Sequence, residues 1–100
     1  PCSNYPPVPY FQAPDQMCGY DQASFEADGT FSGINLTYSW VIRIMTGPNA
    51  DQVVSTGSGP TYNLAANNYP PGMYEVTCTC WYPNHPGATS SYAYTISINQ

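Results

Sequence analysis

The sequence predicts an all-β protein: an antiparallel two-sheet sandwich of about seven short strands behind a proline-rich arm. Three observations carry that expectation. Apolar residues recur at every second position in several stretches, and no stretch holds a helical period for two turns. Clusters of Gly, Pro, Asn and Asp separate those stretches at short intervals. The polar residues are mostly Ser, Thr, Asn, Gln and Gly, and ten tyrosines contribute most of the 15% aromatic content, a mix that favours strands over helices.

Residues 1–16, PCSNYPPVPYFQAPDQ, hold Pro1, Pro6, Pro7, Pro9 and Pro14. Prolines this dense remove backbone donors and keep the chain extended. This segment reads as an arm or linker, with the folded domain over residues 17–100. Its Val8, Tyr10 and Phe11 are the candidate contacts to a neighbouring subunit, because a proline-bearing segment is confined to a sheet edge or a groove.

In QASFEAD, Ala23, Phe25 and Ala27 share one face, and Asp28-Gly29 ends the run. Over LTYSWVIRI the shared face is Leu36, Tyr38, Trp40, Ile42 and Ile44, closed by Thr46-Gly47-Pro48-Asn49. QVVST is a short strand broken by Gly57-Ser58-Gly59-Pro60, and Tyr62 with Leu64 marks another. MYEVTCTCWY follows a Pro70-Pro71-Gly72 turn, and SSYAYTISI follows Pro83-Asn84-His85-Pro86-Gly87. In the final run Tyr92, Tyr94, Ile96 and Ile98 lie on one side.

The region from Ala23 to Ile98 resembles the immunoglobulin-like superfamily, and PKD-type extracellular domains in particular. The resemblance rests on Phe25-Glu26-Ala27-Asp28-Gly29-Thr30, on Tyr38-Ser39-Trp40, on Gly72-Met73-Tyr74-Glu75-Val76 and on the alternating last strand ending at Ile98. It departs after Trp40, where Val41-Ile42-Arg43-Ile44 replaces the usual Phe-Gly-Asp-Gly-like turn. The resemblance implies an immunoglobulin-like sandwich with an adhesive, spacer or structural role outside cells, and no particular ligand.

Composition narrows the partners. Arg43 is the only Lys or Arg, and the formal net charge is −5, so nucleic acid and anionic membrane surfaces are poor partners. No apolar run approaches the ~20 residues of a membrane span. Four cysteines in an acidic, lysine-free chain point to an oxidising compartment, hence a secreted or cell-surface protein; with no charged, then apolar, N-terminal segment, any signal peptide is expected to be already gone. Asn35-Leu36-Thr37 is an N-glycosylation acceptor.

Cys78 and Cys80 share the core face of one strand. Zinc needs about four ligands at suitable spacing, and a redox pair normally takes two intervening residues at a helix start. Neither pattern is present, so Cys2, Cys18, Cys78 and Cys80 read as structural disulfides. One arrangement joins Cys2 and Cys18 to Cys78 and Cys80; the other joins Cys2 to Cys18, a loop worth about 3 kcal/mol. Neither a metal nor a cofactor is expected.

Asp15, Asp21, Glu26, Asp28, Asp51 and Glu75 are scattered, and His85 lies in a proline-bounded loop. No nucleophile elbow or facing carboxylate pair emerges, so no catalytic residue is assigned. Two function classes remain. One is a non-catalytic structural module of a fibre, appendage or surface protein, whose partners are copies of itself or adjacent domains. The alternative is a carbohydrate-binding or adhesion module, with Trp81 and Tyr82 stacking on a sugar.

Overall fold

The computed structural model describes residues 6, 8–18, 21–27, 36–48, 50–65 and 69–99. The chain is all-β, and the described residues form seven strands in two sheets: β1 (Gln16–Cys18), β2 (Gln22–Glu26), β3 (Thr37–Ile44), β4 (Val53–Ser58), β5 (Thr61–Ala65), β6 (Gly72–Trp81) and β7 (Thr89–Asn99). One sheet has the order β1-β7-β6-β3-β4, and the other pairs β2 with β5. The two sheets share one apolar core, an arrangement compatible with a sandwich.

Alternation sets which side chains enter that core. On β3, Tyr38, Trp40, Ile42 and Ile44 are buried; on β6, Tyr74, Val76, Cys78 and Cys80 are buried. The register places these residues opposite one another, Trp40 against Cys78 and Ile42 against Val76. A one-residue slip would turn the whole set outward, so burial itself fixes the pairing. Phe25 and Leu64 come from the smaller sheet, and Ile96 and Ile98 from β7.

Polar and steric details tie the sheets together. The indole nitrogen of Trp40 donates to the Gly59 carbonyl at 2.8 Å, which anchors the short β4–β5 turn. Ser55 and Tyr62 are joined through their hydroxyls. A Cβ built on Gly57 would lie 2.5 Å from the Tyr62 ring, so only glycine lets that ring close over β4. In the β3–β4 loop, Gly47 and Asp51 take left-handed backbone conformations, φ 84° and 71°.

Two features depart from the sequence reading. The short strand β1 was not expected as a strand, and it runs parallel to β7, with Gln16, Met17 and Cys18 beside Ser97, Ile98 and Asn99. The remaining ladders are antiparallel. The β3–β4 ladder also shifts register between Ile42 and Arg43. That irregularity leaves Val54 without a partner and half-buried.

Candidate functional site

Among the described residues the smaller sheet has two strands and the larger has five, so β2 and β5 leave part of the larger sheet's inner face to other cover. The arm supplies part of the missing cover. Pro6 and Pro9 are buried, and Phe11 is 4% exposed within the core. The Phe11 ring lies 5.1 Å from Trp40, 5.1 Å from Tyr92 and 5.8 Å from Phe25, centre to centre. Its approach to Tyr92 is edge-on at 81°, the geometry in which a positive ring edge meets a negative face.

Phe11, one of the candidate contacts to a neighbouring subunit, is buried among core rings. A proline-rich sequence hides this, because a single Phe in an extended segment carries no period. Val8 is half-buried. Tyr10 is 55% exposed and rests edge-on against Tyr92 at 4.9 Å. Of the three candidate contacts, Tyr10 offers the most open surface.

The described part of the arm is held at Pro6 and at Asp15. Ser90 Oγ donates to the Pro6 carbonyl at 2.5 Å. At the other end the Tyr94 hydroxyl donates to the Asp15 carboxylate, and Ser97 N donates to the Asp15 carbonyl at 2.9 Å. The Asp15 bond also raises the Tyr94 phenol above its ordinary range. Between these clamps the described arm residues form no ladder: Tyr10 N bonds back to the Val8 carbonyl. Rings, rather than backbone hydrogen bonds, hold the middle of the arm. The anchoring roles of Asp15, Ser90, Tyr92 and Tyr94 were missed from sequence, since each lies more than 75 positions from its partner or reads as an ordinary strand residue.

Cys78 and Cys80 are buried on the core side of β6, as the period of two requires. Burial, with a smaller contribution from Cys80, pushes the Cys78 thiol from 9.0 up to about 12, and burial raises Cys80 as well. Both are thiols rather than thiolates at neutral pH, a poor state for nucleophilic or redox chemistry.

Cys18 is an exposed free thiol at the end of β1. It sits beside Asn99, whereas Cys78 sits beside Tyr92, seven residues back along β7. That separation is about 23 Å at strand rise, far beyond the ~7 Å between Cα atoms that a disulfide allows. The expected bond from Cys18 to Cys78 or Cys80 is thus ruled out by the parallel docking of β1. Cys2 and the acceptor Asn35 lie outside the described residues.

Trp81 is half-buried on the outer face of β6, between Thr37 of β3 and Thr89 of β7. Tyr82 is half-buried where the chain leaves the strand, and its carbonyl accepts from His85 N at 2.9 Å. Neither ring stacks on another aromatic among the described residues. A cleft of about 390 Å³ opens at Gln22, Ala23, Ser24, Asn63 and Leu64, with the Ser24 hydroxyl 2.5 Å from the Asn63 amide oxygen. Among the described residues no three His, Cys, Asp or Glu side chains converge on a metal-sized site.

No protein-family model matches the chain, and neither a curated protein nor a solved structure matches it.

Proposed function

We propose that this chain is a non-catalytic extracellular structural module, immunoglobulin-like and PKD-like in type, built into a fibre, appendage or surface protein. Its N-terminal arm contacts the neighbouring subunit or domain, and its surroundings are oxidising and outside the cell. Support for the fold type comes from the strand order. The trio β3-β6-β7 faces β2-β5, as the C-F-G and B-E strands face each other in immunoglobulin-like sandwiches. The observation that carries the role is Tyr10: a large ring presented 55% exposed on an arm that is itself anchored to the core. Exposed aromatic anchors on a rigid base are the usual centres of protein interfaces.

Sedimentation and electron microscopy of the full chain at micromolar concentration test the proposal. Discrete oligomers or fibres that weaken on Tyr10→Ser are expected. A monomer at every concentration, whatever stands at position 10, overturns it.

One observation favours the second reading. Trp81 is an outward ring flanked by the hydroxyls of Thr37 and Thr89, which suits stacking on a sugar. Retention of a monomer on a polysaccharide column, lost in Trp81→Ala, would replace the structural reading with the carbohydrate one.

A further inference from the structure

Phe11 of the arm fills a groove made by Phe25, Trp40 and Tyr92. Nothing in the Phe11 contacts depends on the arm and groove belonging to one chain. The connection between them is also thin. Gln12 and Pro14 are exposed, Ala13 is half-buried, and Asp15 begins the fixed part at β1. The stretch from Pro6 to Pro14, whose described residues form no ladder, would cover about 30 Å if extended, longer than the 25 Å and 17 Å cross-section of the domain.

We propose that the arm is exchanged between copies of this chain. Residues 6–11 of one copy occupy the Phe25–Trp40–Tyr92 groove of the next, with Gln12, Ala13 and Pro14 as the hinge. This rests on the structural-subunit reading and names its partner: a second copy, engaged through the ring groove. Three observations favour exchange over a permanently closed arm. The seat is apolar and uncharged, so an emptied groove exposes three rings to water and demands an occupant. Among the described residues, detaching the arm releases one clamp, from Ser90 Oγ to the Pro6 carbonyl, and no ladder hydrogen bond. The hinge contains a proline, whose fixed φ favours the extended form that reaches outward. A short tether gives the chain's own arm an effective concentration in the millimolar range, so exchange is promoted by crowding or by a strained hinge.

Deleting Gln12 and Ala13 shortens the hinge by about 7 Å. Phe11 then no longer reaches its own groove while Asp15 stays clamped. Sedimentation and circular dichroism of this full-length variant should show a folded dimer or larger ring. Adding Phe11→Ala, or an excess of a synthetic peptide of residues 1–12, should convert it to monomer. If the shortened chain instead fails to fold, restoration of a folded monomer by the same peptide also supports the proposal, since the groove then takes an arm from another molecule. A folded monomer without peptide, oligomers indifferent to Phe11→Ala, or an unfolded chain that the peptide does not restore would each overturn it. Wild-type particles that persist in Phe11→Ala would retain the subunit reading and eliminate exchange alone.

Discussion

At the scale of single residues, steric fit and ring geometry dominate. Gly57 shows this most directly, because the Tyr62 ring sits where a side chain would be. Gly57→Ala should destabilise the protein by about 1–3 kcal/mol, the usual cost of overpacking. In a Tyr62→Ala background the same substitution should cost far less. Urea denaturation of the four proteins in this double-mutant cycle measures the coupling, and additive costs would refute the contact. The sequence marks Gly57 as a strand breaker, whereas β4 runs through it to Ser58, paired with Trp40 of β3. Gly57 and Tyr62 lie in different sheets, and only their packing reveals that the glycine makes room for a ring. The paired cysteines divide in the same way. Their shared inward face follows from a period of two, whereas the distance to Cys18 follows from where β1 docks.

At the scale of elements, the arm is where sequence and structure part. Its prolines predict an extended form, whereas the described residues turn at Pro9, where Tyr10 N donates to the Val8 carbonyl. Nothing in the prolines gives its destination. Phe11 enters the core because a two-stranded sheet leaves the rings of Trp40 and Tyr92 without cover. Phe11→Ala should therefore cost roughly 3–5 kcal/mol, the range for deleting a buried phenyl ring. Tyr10→Ala should cost much less, since that ring is mostly in solvent. Chemical denaturation distinguishes the two; equal costs would mean that the arm is not seated as described. The strands were far more readable. β3 and β6 each bury every second residue, so their faces could be assigned from the alternation of the sequence. β1 escaped notice because three residues, Gln-Met-Cys, are too few to show alternation.

At the scale of the whole molecule, the core combines apolar rings with two thiols, and its stability depends on pH accordingly. Cys78 titrates at about 12 in the fold against an ordinary 9.0, and Cys80 and Tyr74 are also shifted upward by burial. For each, the neutral form is favoured in the fold. Their contribution is complete below the ordinary value and is lost as pH rises toward the folded one. Under reducing conditions the urea midpoint should hold up to about pH 9 and fall between roughly pH 9 and 12. Cys78→Ala should start lower, from the lost volume, but decline less steeply over that interval. A wild-type midpoint that is flat to pH 11 would contradict the burial of the thiol. By itself, the sequence determined the all-β class and the inward face of each long strand, because backbone alternation acts over a few residues. Only the tertiary structure decided the parallel docking of β1, the separation of Cys18 from the paired thiols and the seating of Phe11 among Phe25, Trp40 and Tyr92. These depend on which surface two sheets of unequal width leave open, a property that no local stretch of chain contains.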